Sequence, residues 1–213
     1  MRGPPPHPFV RLSPRMRRAA LLVLAPLTFT IMFALISLDA ELRTPASPAG
    51  IVSFELAGDG ARAGQILDAW GSRGRRAAAR SLHLDFLYLA SYAPALALLC
   101  AAAASKHAKR GRSEAKPSEV PEGRPSEGGP PQERAFAHPR LAALGAWLAW
   151  GQLAAGVLDA LENLALLQVL GGASGDFWPA FAAACAWPKF ALVGACFAYL
   201  IGFATLHLLR NAR

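Results

Sequence analysis

Four ionisable residues interrupt stretches of this chain that are otherwise apolar: Asp85, Asp159, Glu162 and Lys189. A charge at the centre of a membrane-spanning helix costs about 2.5–3.5 kcal/mol on insertion scales, so each needs a partner or a purpose. Asp159 and Glu162 are three residues apart, and Asn163 and Gln152 lie four and seven residues from Asp159, which puts all four on one side of a helix. Asp85, Tyr88 and Tyr92 make a second stripe at helical spacing, with Pro94 just beyond it. In lipid such stripes face the inside of a bundle. They predict a polar pocket of Asp85, Tyr88, Tyr92, Asp159, Glu162, Asn163 and Lys189, closed from a loop by Glu55 or Asp68. Three intramembrane carboxyls against one ammonium leave an excess of two negative charges if all ionise. Protons or a cationic ligand must neutralise that excess.

Such a pocket suits three kinds of work. In the first, it binds or moves a small polar or cationic solute, or a proton. Asp159 and Glu162 would then be the ligand- or proton-binding carboxyls, Lys189 their counter-charge, and Asp85 with Tyr88 the facing wall. Four helices are few for a carrier, so a homodimer is expected on that reading. In the second, a membrane enzyme acts on a lipid or isoprenoid headgroup, with the carboxyls as acid and base or as ligands of a divalent metal. Asp159, Glu162 and Asp85 offer the oxygen donors that Mg²⁺, Ca²⁺ or Mn²⁺ take. In the third, the chain is an accessory membrane subunit whose ion pairs only hold helices in register.

Other chemistries lack their residues. G-x-S-x-G is absent, and no Ser–His or Cys–His pair shares a depth in the apolar segments. The glycine-rich run 171–175 has no lysine after it to cradle phosphate, and the Glu-x-x-His of di-iron bundles is missing. Cys100, Cys185 and Cys196 are odd in number and form no C-x-x-C, so they read as small buried apolar residues and not as a redox pair.

The elements that must position the pocket are helices. Hydrophobic residues make up 54% of the 213, and charged residues only 17%, against about a quarter in an average soluble domain. The apolar residues gather in four runs, 19–38, 82–104, 141–170 and 180–209, each long enough at 1.5 Å per residue to cross about 30 Å of hydrocarbon. The fold class is therefore an all-α membrane protein, a bundle of four transmembrane helices over 19–209. The first run is too long for the core of a secretory signal and is followed by a poor cleavage site, so it reads as a retained helix.

Around the bundle, residues 1–18 read as a disordered basic N-terminus. Residues 39–81 read as a partly folded outer loop, with a short surface helix over 61–70 placing Trp70 at headgroup level. Residues 105–138, rich in Pro, Gly, Lys, Arg and Glu, read as a flexible cytoplasmic linker.

The net charge of +8 invites a nucleic-acid reading, but its distribution argues against one. With both termini inside, fifteen Lys and Arg gather on the cytoplasmic side, six fall in the first loop and none in 171–179. This is the pattern of membrane topology, since Lys and Arg stay cytoplasmic. Arg73, Arg75, Arg76 and Arg80 are the exception, flanking the second helix on the outside. The expected partners are the lipid bilayer and a small polar or cationic ligand, with no nucleic acid. The Ala, Arg, Gly and Pro bias fits a GC-rich bacterial genome, and a bacterial inner (plasma) membrane.

Overall fold

The computed structural model describes residues 6–114 and 132–212, and it is helical in every long element. In chain order these are α1 (Pro14–Asp39), a 3₁₀ turn (Ala40–Leu42), α2 (Ile51–Glu55), α3 (Gly60–Glu114), α4 (Gln132–Leu170) and α5 (Phe177–Asn211). α1, α3, α4 and α5 each contain a stretch long and apolar enough to cross a membrane. They run alternately up and down and pack together. The start of α1 and the end of α5 lie at one end of the bundle, called here the terminal end, and the segment 40–60 lies at the other, the cap end.

Local chemistry sets the helix limits. Pro14 occupies the first turn of α1, and the Ser13 hydroxyl accepts from Met16 N at 3.2 Å, supplying a partner for an otherwise orphaned donor. Asp59 caps α3 by accepting from Arg62 N at 2.7 Å. Within α3, Gly71 leaves helical geometry at φ 56°, so this element is two helices joined by a break that favours glycine. Pro26, Pro94 and Pro188 lie inside α1, α3 and α5, and each removes one helical donor.

Several limits depart from the sequence reading. α1 starts at Pro14, and residues 7–13 form a folded turn where disorder was expected. Arg17 organises that turn, donating through Nε to Leu12 O at 3.0 Å and through Nη2 to Val10 O at 3.3 Å. Trp150 Nε1 donates to Pro6 O at 3.0 Å, tying the turn to α4. The loop 39–81 is largely helical from Gly60 onward and merges into α3 through Gly71. Of the linker expected over 105–138, α3 takes the start and α4 the end; 115–131, like 1–5, lie outside the described residues.

α4 packs between α3 and α5, and α1 lies chiefly against α3. Small residues let the terminal half of this packing close tightly. A methyl group added at Gly156 would come within 2.8 Å of the Ala93 Cβ, and Gly145 lies against Tyr199 and Ala104. Ala97, Ala101, Ala149, Cys100 and Cys196 are fully buried along the same seam. By contrast Ile31 is the one fully buried residue of α1, whose Leu22, Val23, Phe33 and Ile36 face outward. Trp147, Trp187 and Ile201 do the same on α4 and α5, an apolar exterior suited to hydrocarbon surroundings.

The cap is a small core of its own. Phe54 and Trp70 meet edge to face with centroids 5.1 Å apart, and Leu42, Ile66 and Leu166 close around them. Trp70 Nε1 donates to Leu42 O at 2.7 Å and to Ser47 Oγ at 2.9 Å, so Trp70 is buried in the cap and not held at a headgroup surface as its amphipathic helix suggested. Asp39, the last residue of α1, accepts from Ile51 N at 2.8 Å and so starts α2. Gly50 has φ 59°, and a side chain there would overlap the Asp39 carboxylate. Two of the four arginines that seemed misplaced are paired here. Arg73 makes a two-pronged contact with Glu41 at 3.1 and 3.2 Å, and Arg75 meets Asp68 at 3.0 Å.

Candidate functional site

The polar stripes of α3 and α4 converge with α5 beneath the cap. Lys189 lies at their centre, one residue after Pro188. Its Nζ is 2.7 Å from Glu162 Oε2, 3.0 Å from Asp159 Oδ1 and 3.7 Å from Glu55 Oε2. The i, i+3 spacing of Asp159 and Glu162 lets both reach one ammonium from a single face of α4. Glu55 arrives from the other direction, on the last residue of α2, because the cap core holds that helix over the bundle. The side chains of Lys189, Asp159 and Glu162 are all at most 7% exposed.

A second set of bonds joins α3 to α4. Tyr92 donates from its hydroxyl to Asp159 Oδ2 at 2.8 Å, so each Asp159 oxygen has its own donor. Asn163 Nδ2 donates to Asp85 Oδ2 at 2.6 Å. Among the described residues Asp85 makes no ion pair: its one hydrogen-bond partner is a neutral amide. Tyr88 and Tyr92 stack at a tilt, centroids 4.9 Å apart.

These groups border a half-enclosed cavity of about 440 Å³ between α1, α3 and α5 with α2 above it. Glu55, Asp85, Tyr88, Tyr92, Asp159 and Lys189 line one end of it. Glu162 and Asn163, also expected in the pocket, are fully buried behind that wall and touch Lys189 and Asp85 from the back. Asp68, the other residue expected to close the pocket, does not do so. It is 82% exposed and held by Arg75. Gln152 shares the α4 face but lies deeper, donating to Leu192 O at 2.9 Å.

The cluster is rich in acid. Three carboxyls surround one ammonium and a fourth, Asp85, stands beside them on Asn163, three negative charges in excess if all ionise. Buried like charges of this kind are costly, and a proton or a cation relieves them. Glu55 registers the cost: burial pushes its carboxyl above the usual glutamate range, the Lys189 charge opposes that, and Asp159 adds to it. Buried atoms without a hydrogen-bond partner among the described residues include Glu162 Oε1 and Gln152 Oε1.

The geometry does not gather the three metal candidates at one point. Asp159 and Glu162 both point at Lys189 Nζ, which fills the position between them that a divalent ion would take. Asp85 turns to Asn163 instead of joining them. No group of three or more His, Cys, Asp or Glu among the described residues is arranged to hold a metal ion. Sequence reasoning also missed the approach of Cys100 on α3 to Cys196 on α5, whose Sγ atoms are 3.1 Å apart. Their spacing in sequence carries no sign of it; only the pairing of helices does. No family model, curated protein or solved structure matches this chain, so its function has to be read from the site alone.

Proposed function

We propose that the chain is a multi-pass protein of the plasma membrane that binds and moves a small cationic or polar solute, or a proton, through the acidic pocket. Both termini are cytoplasmic in this reading, as the distribution of Lys and Arg favours, and the cap faces outward. The pocket then lies in the outer half of the bilayer.

One observation carries the reading: Asp85 borders a cavity and, among the described residues, has only a neutral partner. A carboxylate in that position is completed by a cation or by a proton. Glu55, Tyr88 and Tyr92 stand beside it as further ligand-facing groups. Asp159, Glu162 and Lys189 are more nearly self-sufficient, so the purely structural reading fits them best. Their role is to fix α4 against α5 and hold the wall in place.

Proteoliposomes containing the full chain, on a solid-supported membrane, test this directly. A concentration jump in guanidinium or tetramethylammonium, or a pH jump, should give a saturating displacement current that is lost in Asp85→Asn. Absence of current with both cations and with protons overturns the cationic and the proton reading. Orientation is tested by Ser174→Cys, at the exposed cap end, which should react from outside intact cells with an impermeant maleimide. Labelling only after lysis reverses the topology.

A further inference from the structure

We infer that the cavity takes a single-chain amphiphile with an amine head, drawn sideways out of the membrane between α1 and α5. This rests on the acidic-pocket reading and names its ligand class. The cavity is charged at one end only. Beyond Tyr92 its walls are Ala95, Leu96 and Leu99 from α3 and Val193 and Phe197 from α5, with no polar group among them. From Asp85 to Leu99 is fourteen residues of helix, about 21 Å, so the site is far longer than a small solute needs. Apolar surface of this kind gains from an apolar occupant at about 25 cal/mol per Å² removed from water.

The volume and the opening select the shape. About 440 Å³ lies toward the small end of the range for ligand cavities, room for one chain with a compact head and not for a two-chain lipid. α1 packs on α3 and contributes Ala25, Thr28, Phe29 and Met32 to the cavity, with the Thr28 hydroxyl taken up by Leu24 O at 2.8 Å and Ser91 Oγ at 3.0 Å, yet it has little contact with α5. The cleft between α1 and α5 is thus the open side. Phe29 and Phe197 line the cavity while remaining 57% and 50% exposed, which makes them its rim. A ligand passing this rim would come from hydrocarbon and not from water.

Charge selects the head. Lys189 is already held by Asp159 and Glu162, so an anionic head would find no unsatisfied cation and would face Asp85 and Glu55. An ammonium meets those carboxyls and the faces of Tyr88 and Tyr92, since aromatic rings attract cations. Phe190, also on the cavity wall, already serves in this way for Lys189, whose Nζ is 4.7 Å from its ring centre.

The test is equilibrium binding of radiolabelled dodecylamine and radiolabelled propylamine to the full chain in nanodiscs, with dodecanol and dodecanoic acid as competitors. Dodecylamine should bind saturably, and neither competitor should displace it. Asp85→Asn should weaken both amines at least about tenfold. Val193→Trp, which fills the apolar end without touching a charge, should weaken dodecylamine at least about tenfold and leave propylamine unchanged. Both variants are compared at matched gel-filtration profiles, and the second reports even if the first does not fold. Equal binding of the two amines, or indifference to Val193→Trp, overturns the amphiphile and leaves the acidic pocket standing. Displacement by dodecanoic acid overturns the choice of head. Binding of neither amine overturns the amphiphile, and the acidic pocket falls with it if the pH jump also gives no displacement current.

Discussion

The seam between α3 and α4 is closed in two different ways along its length. Toward the terminal end it is a run of small residues, Ala93 against Gly156 and Ala104 against Gly145, packed so closely that a single methyl group collides. Toward the cap end the same two helices meet through Tyr92 with Asp159 and Asn163 with Asp85. Small residues give affinity through contact and leave no space. Polar pairs instead fix the register of the two helices through side chains that reach across the seam. The cavity lies along the α1 and α5 sides of α3, and only the polar half supplies it with hydrogen-bonding groups.

The largest expected effect breaks the polar half. Lys189→Met leaves Asp159 and Glu162 facing each other without a cation and should cost about 3–5 kcal/mol, read as loss of thermal stability in detergent. Adding Asp159→Asn and Glu162→Gln should recover most of it. A single variant as stable as the parent would show that the cluster holds nothing. Next comes the small-residue half, where Gly156→Leu should cost about 1–3 kcal/mol by forcing α3 and α4 apart, measured by the same melt. An unchanged melting temperature would mean that the close seam is not required.

Asp85→Asn sharpens the distinction within the polar half. Its carboxyl has no ion-pair partner among the described residues, and an amide oxygen can still accept from Asn163, so stability should change by less than about 1 kcal/mol. Cation binding should be lost all the same. A destabilisation as large as that of Lys189→Met would place Asp85 with the structural charges. The smallest effect concerns Glu55. Burial raises its carboxyl, so over a window starting at the ordinary glutamate range the folded chain holds a proton that the unfolded chain releases. Stability present below that range is lost as pH rises through it. Glu55→Gln should flatten this part of a melting-temperature profile against pH; an unaltered slope would assign it to another group.

Much of this contrast was legible in the sequence. Four apolar runs announced four helices, and the spacing 85, 88, 92 and 152, 159, 162, 163 placed each polar stripe on one face. Spacing along one helix gives its faces but not its register against a neighbour. That is why the approach of Cys100 to Cys196, and the retreat of Glu162 and Asn163 behind the cavity wall, required the packed bundle. The metal candidates are separated for a related reason: Asp159 and Glu162 have ligand spacing, but the helix beside them brings an ammonium to the same point. Trp70 shows a third limit. An amphipathic helix next to a membrane span can lie on the bilayer or on a protein core, and the partners that decide it, Phe54 and the Leu42 carbonyl, lie in separate parts of the loop. Residues 7–13 looked too polar to order, yet Arg17 satisfies the carbonyls of Val10 and Leu12 from within α1.

Asp39 ties two parts of the molecule together. It is the last residue of α1, and its carboxylate holds Ile51 N, the start of a helix only five residues long whose last residue, Glu55, reaches Lys189. Arg43 grips the same carboxylate at 3.0 Å, and Gly50 leaves no slack between them. α1 is the helix least embedded in the bundle, so the helix with the least packing of its own and the acid beside the lysine depend on one and the same carboxylate.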